Sequence, residues 1–410
     1  MVASGTGLIA VSYGVVRYGY GLQLPQLAGE FSLSSRTAGI IASGSFAAYC
    51  VAALAAQRLI VWRGARVVLW LAAALAASGA LLVALSWSAP TLALGVLIAG
   101  SAAGAASPAM VVAVACTVRQ TLVARAQAVV NAGTGIGVAI VGAATLAAPQ
   151  AWRPVWVCGA AVALLAAATV DRRAHWPTHR RETGDRDPHG RASPGMTLLR
   201  PIVAAALAGT GSAAVWTFGR DLITDTGGLP ERTTAALWAL LGTAAVLGAL
   251  SGDAVRLLGI RGAWALTATL TATGTAILAL APGQVVTAAI AGAVFGGAYT
   301  ALSGVLIAWA SVLRPTAAGQ ATATLFIALT AGQAVGAIAA GVVAERAGAR
   351  AAFLACAVLL LAAATVLPAR TSSGATVTGS PRRRGHDVIP VEHGEPSRTG
   401  GAVQSRQRLT

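Results

Sequence analysis

The sequence predicts an all-α integral membrane protein of twelve transmembrane helices, arranged as two pseudo-symmetric six-helix bundles. Three observations predict it: a composition foreign to soluble domains, a series of spaced apolar segments, and a match of the chain's second half to its first. Of 410 residues, 56% are hydrophobic and only 10% charged, with a mean hydropathy of +0.72. Soluble globular domains carry about 25% charged residues. At about 20 apolar residues per crossing, twelve crossings use ~240 residues and leave the rest for short loops, one linker and a tail.

The first apolar run, about residues 3–28, lacks a basic flank and a small-residue cleavage site, so it reads as a helix that stays in the membrane. Further runs fall near 37–57, 67–88, 91–116, 126–148, 154–171, 201–224, 233–252, 263–282, 284–310, 320–344 and 351–368. Two polar stretches interrupt them, and their Arg, Pro, Gly and Ser content cannot build a core. The expected organisation is therefore a first bundle over 1–171, a basic linker over 172–199, a second bundle over 200–368 and a disordered basic tail over 369–410. With an even number of crossings and both termini cytoplasmic, 22 arginines lie on the inner side and five on the outer. That bias supports a multi-pass protein of the cell's inner membrane in this orientation.

All 29 basic residues are arginine. A phosphate-loop ATPase and a Schiff-base enzyme both need a lysine, so both classes are excluded. Cys50, Cys116, Cys158 and Cys356 are widely spaced inside apolar runs and suggest neither a disulfide framework nor a zinc site. The five histidines all fall in the linker or tail, and Pro177 between His175 and His179 breaks the one helical pairing, so no metal or other cofactor is expected. No apolar run carries a histidine, paired carboxylates or a Ser-Lys pair, so an enzyme is not expected. The net charge of +16 is concentrated beside apolar segments and reads as an adaptation to anionic headgroups of the lipid bilayer, with no nucleic acid as partner.

Arg58-Leu59-Ile60-Val61-Trp62-Arg63-Gly64-Ala65 recurs as Arg256-Leu257-Leu258-Gly259-Ile260-Arg261-Gly262-Ala263, 198 residues later. Similar displacements link Arg36 to Arg232, Gly133 and Gly137 to Gly332 and Gly336, and Arg153 to Arg350. A near-constant displacement along the chain argues for two homologous halves. Such a pair of parallel six-helix repeats resembles the major facilitator superfamily over about residues 1–368. The opening segments, Arg17-Tyr18-Gly19-Tyr20-Gly21, Leu24-Pro25, Leu33-Ser34, Ala38-Gly39-Ile40-Ile41-Ala42-Ser43-Gly44 and Tyr49, resemble more narrowly its YbfB/YjiJ-type branch. The superfamily's loop signature is degraded here, with Val61 where its Asp would stand and only Gly64 and Arg66 kept.

Arg17 lies midway along the first run, where a centrally placed arginine costs about 2.5–3.5 kcal/mol to insert. It must face protein or water. Tyr13, Arg17 and Tyr20 are spaced to share one helical face, which would set a guanidinium between phenols on a cavity wall. One reading is an anchor for a carboxylate or phosphate, which matches the planar fork of arginine donors. The other is a structural arginine bonded to carbonyls or helix ends. Arg220 and Asp221 are adjacent opposite charges in the seventh run: either a substrate ligand beside a proton-coupling carboxyl, or a pair at the membrane interface. Register places Arg220 seven residues nearer the outer face than Arg17, so a symmetric clamp of two arginines is not expected. Trp216 is a further candidate in that run, and the resemblance implies that Tyr49 and Tyr299 line the cavity, whereas each taken singly reads first as an interhelical hydrogen-bonding residue. Glycines 133, 135, 137 and 142 in the fifth run, and 332, 336 and 341 in the eleventh, predict close helix packing and, by the resemblance, a sliding interface.

Together these readings imply a monomeric secondary transporter that moves a small-molecule substrate, an organic anion or polar metabolite, by proton-coupled alternating access. An efflux carrier for amphipathic compounds is the alternative favoured by the apolar, Gly- and Ala-rich spans. A non-transporting receptor or scaffold, recruiting partners through the linker and tail, is the reading from a different class.

Overall fold

A computed structural model describes residues 1–176 and 195–368. The expectations of a solvated linker and a disordered tail fall on 177–194 and 369–410, outside the described residues. Met1–Pro368 form one compact unit. All regular structure among the described residues is helical, as lipid requires of a chain that must satisfy its backbone polar groups within each segment.

The helices are α1 (2–31), α2 (Ser35–Arg63), α3 (Ala65–Ala84), α4 (Ala89–Thr117), α5 (Val123–Ala147), α6 (Trp152–Arg173), α7 (195–226), α8 (231–258), α9 (260–280), α10 (Val285–Leu313), α11 (Ala318–Ala347) and α12 (Ala349–Thr365). Among the described residues nine stretches are long and apolar enough to cross a membrane; one of these, Glu231–Leu280, contains both α8 and α9, while α12 and the opening of α1 are shorter. The helical ends of α6 and α7 reach into the expected linker, to Arg173 and from Gly195.

Local chemistry sets the joints. Ser34 caps α2 by accepting from the Thr37 amide, and Ser88 and Thr91 form a reciprocal capping box at α4. Gly64 and Gly259 each turn the chain in a single residue at φ +86° and +67°, a conformation that only glycine adopts without strain. In the sequence repeat Gly64 pairs with Gly262, yet the bend falls at Gly259: Gly262 is helical, so the second turn comes three residues earlier in the repeat frame. Trp62 and Trp87, both well exposed, lie at opposite ends of the bundle, and indole rings are enriched at lipid interfaces.

Within lipid no hydrophobic force draws helices together, so close backbone packing does this work and requires small residues. Gly133 and Gly137 let α5 approach α1, where an added Cβ would lie 2.4 Å and 2.0 Å from the Thr6 and Ala10 carbonyl oxygens. Their repeat partners Gly332 and Gly336 do the same for α11 on α7, at 2.1 Å and 2.2 Å from Ala206 O and Thr210 O. The sequence repeat is therefore matched by equivalent contacts. Other glycines of these helices serve the other side: Gly135 and Gly142 pack on α8, and Gly341 on α2, across the divide between the halves. The halves thus meet along α1–α7, α2–α11 and α5–α8. The close approaches of Gly39 to Ala337, Gly341 to Ser35 and Gly142 to Ala239 all lie toward the end of the bundle away from the linker, here termed the far end.

Candidate functional site

The site is built on a wide turn. Residues Ala10–Arg17 of α1 form a π-helix, with the Tyr18 amide donating to the Tyr13 carbonyl at 3.0 Å. Five residues per hydrogen-bonded turn put Tyr18 above Tyr13, a pairing that the ordinary 3.6-residue period misses. The Arg17 guanidinium consequently lies among rings: Tyr49 at 4.1 Å to the centroid, Tyr13 and Tyr18 at 5.3 Å and Phe46 at 5.4 Å. The negative ring faces attract it. The rings are themselves fixed, Tyr13 by hydroxyl contacts to Tyr49 at 3.0 Å and to Ser107 at 2.5 Å.

Arg17 is 5% exposed and reaches across the divide. Its Nη2 donates to Thr330 Oγ1 at 3.1 Å and to Gln333 Oε1 at 2.8 Å on α11. Gln333 Nε2 in turn donates to the Tyr299 hydroxyl at 2.9 Å. Neither sequence reading anticipated this: the guanidinium neither stands on the wall of a broad wet cavity nor is saturated by backbone oxygens, because the halves are closed over it. Among the described residues none of the ion pairs involves Arg17.

Beside it is a void of about 10 Å³, lined by Arg17, Tyr18, Tyr20, Gly21, Ala42, Ser45, Phe46, Trp216 and Thr217. It is about the size of one water molecule. Trp216 of α7 stacks on Tyr18 of α1 with centroids 4.1 Å apart and meets Phe295 and Tyr299 edge to face. Tyr20 lines the void but turns its hydroxyl to the Ala38 carbonyl at 3.2 Å. Of the sequence candidates, then, Tyr13, Arg17, Tyr20, Tyr49, Trp216 and Tyr299 gather here.

Arg220 and Asp221 do not join them. Fully buried, Arg220 donates to Thr234 Oγ1 at 3.0 Å, Leu22 O at 2.7 Å, Gln26 Oε1 at 2.8 Å and Glu231 O at 3.2 Å. Gln26 completes a lock between the halves by donating from Nε2 to Glu231 Oε2 at 3.1 Å. Asp221 makes no ion pair among the described residues, not even with its neighbour in sequence. It is half-buried, and its electrostatic neighbours are Asp225 and the Tyr20 phenol. At the linker end, Arg66 finds in Asp171 the carboxylate that the degraded loop signature lacks, with Nε at 2.7 Å and Nη2 at 2.9 Å. Trp70 and Trp176 also donate to Asp171.

A family model described as uncharacterised MFS-type transporter YbfB matches residues 9–368. The chain belongs to this major facilitator family. Solved structures agree on the fold. The nucleoside transporter NupG superposes with a TM-score of 0.68 at 13% identity, covering 89% of this chain and 97% of that one. A bacterial homolog of the human lysosomal transporter Spinster, inward-facing and unoccupied, gives 0.69 at 16% identity over 89% and 95%. No curated protein sequence matches the chain. The major facilitator architecture accounts for the meeting of α1, α2, α7 and α11 at the site: these cavity-lining helices bring Arg17, Phe46, Trp216 and Gln333 together from four distant parts of the sequence.

Sequence reasoning missed Tyr18, Gln26, Thr330 and Glu231. Gln26 offered a faint signal, a polar amide more than two turns beyond Arg17 and three residues after a second amide, Gln23. Replacing it should open the lock. In a Gln26→Leu variant Glu231 loses a donor and Arg220 an acceptor, and hydrogen bonds to charged groups are strong enough for about a tenfold population shift. A cysteine placed at Ala42, on the void, should then react about tenfold faster with an impermeant maleimide added at the far end.

Proposed function

We propose that the chain is a proton-coupled secondary transporter that moves a small organic anion across the cytoplasmic membrane by alternating access, as a monomer with both termini cytoplasmic. One observation carries the reading: the charge at the centre of the bundle, Arg17, is buried between the halves on neutral partners, with no carboxylate paired to it among the described residues. A charge so placed is costly, and burial without a counter-ion is tolerated where function requires it. A substrate that brings its own negative charge relieves the cost, and it binds in contact with both halves. Asp221, half-buried and unpaired at the end of α7, is the proton-coupling group. The inward excess of arginines supports the orientation, and the two six-helix halves are the units that rock about the site.

The test is uptake by proteoliposomes held alkaline inside, measured against protein-free vesicles. Labelled organic anions should accumulate and a protonophore should abolish the gain. Asp221→Asn should keep anion exchange while losing accumulation driven by the pH gradient. Transport of anions at an unchanged rate by Arg17→Gln would overturn the reading.

The rings of Tyr18, Phe46, Trp216 and Phe295 favour a second reading, efflux of amphipathic compounds. It expects neutral amphiphiles to be carried as well as anions, and Arg17→Gln to leave that transport intact.

A further inference from the structure

Three buried donors without an acceptor among the described residues belong to residues that line the same small void: Arg17 Nε, Trp216 Nε1 and Thr217 Oγ1. Their residues are 5%, 3% and 1% exposed. Buried donors are paired in the great majority of folded proteins, because each one left over costs about 1–3 kcal/mol. These three come from both halves, α1 and α7, and so converge only when the halves are closed. From their geometry we infer that they form the headgroup subsite for the carboxylate of a monoanionic organic acid with a flat apolar body. This rests on the anion reading above and narrows it.

Three features select that class. A carboxylate is acceptor-only, with about four lone-pair positions, and can take two N–H groups and a hydroxyl at once. The charge available is one: Arg220 spends its donors on Leu22, Gln26, Thr234 and Glu231, and the other described arginines lie toward helix ends. A dianion would therefore bury a negative charge without a partner, which is strongly disfavoured in a dry site. Among the residues lining the void there is no carboxylate to receive an ammonium, which disfavours zwitterions such as amino acids. The rest of the wall is Tyr18, Tyr20, Phe46, Gly21, Ala42 and Ser45, mostly ring and small apolar surface suited to a body that stacks. At about 10 Å³ the closed void takes no such body, so the acid enters as the halves part and replaces the Tyr18–Trp216 ring contact.

The experiment is thermal unfolding of the purified full chain in detergent, titrated with benzoate and cinnamate as flat monoanions, phthalate as dianion, benzamide as neutral isostere and phenylalanine as zwitterion. Benzoate and cinnamate should raise Tm in a saturable way and the other three should not. Trp216→Phe, which keeps the ring and removes the N–H, and Thr217→Val, which keeps the shape and removes the hydroxyl, should each weaken benzoate about tenfold. Phthalate binding as well as benzoate overturns the monoanion inference and leaves the anion reading standing. Benzamide matching benzoate, or no anion shifting Tm, overturns both. Unchanged benzoate affinity in both variants overturns the assignment of the donors.

Discussion

Arg17→Gln should abolish anion transport, by at least about 100-fold, while leaving the thermal stability of the protein unchanged or raised. The two halves of this expectation have one cause. The native guanidinium is held by Thr330, Gln333 and four aromatic faces, none of which carries a negative charge. A buried charge lacking a counter-ion is destabilising, and a neutral amide removes that penalty, which offsets the Thr330 and Gln333 contacts that the shorter side chain gives up. The anion loses its only charged partner, and truncating one member of a buried charge pair costs several kcal/mol of binding. Uptake and Tm measured on the same preparation check it. A structural arginine would give the opposite pattern, with a lowered Tm and transport falling only in proportion to folded protein.

Gly21→Ala should cut transport about 10- to 100-fold without loss of folding. Its Cβ would lie 2.0 Å from the Trp216 carbonyl oxygen, a backbone atom that no rotamer change can move. Relief requires α1 and α7 to separate at mid-membrane, and overpacking of this kind costs about 1–3 kcal/mol. Because these helices belong to different halves, the cost falls on the closed conformation alone. A cysteine at Ala42 should become reactive in this variant too. Gly209→Ala is the control: its Cβ would lie 1.8 Å from Leu329 O, but α7 and α11 belong to the same half, so Tm and yield should fall instead. Equal Tm losses in both variants would remove the distinction between packing within a half and packing between halves.

The helices and the repeat were legible in the sequence because lipid leaves few alternatives. Each crossing must be an apolar helix of about 20 residues, and close packing demands small residues at fixed places, so Gly133 and Gly332 kept their register across the duplication. Arg17 was legible for the converse reason, as a charge where none is tolerated idly. Its surroundings were not. Tyr18 is hidden from any argument built on a 3.6-residue period, because a π-turn brings it over Tyr13. Thr330 and Gln333 lie more than 300 positions away, and only the fold brings them near. Arg220 and Asp221, adjacent and of opposite sign, invited pairing; successive residues on a helix point about 100° apart, and Arg220 instead found Leu22 and Gln26 across the divide.

The solitary cation at the centre also has an electrical consequence. Moving one elementary charge through the full membrane potential is worth about 2.3 kcal/mol per 100 mV. When an unloaded protein reverses its access with Asp221 protonated, the field redistributes around an uncompensated +1 and the step is coupled to voltage. Once a monovalent acid neutralises that +1, the same reversal moves almost no charge, so the voltage of the cell would act on the return stroke only as far as Asp221 holds its proton, and leave delivery untouched.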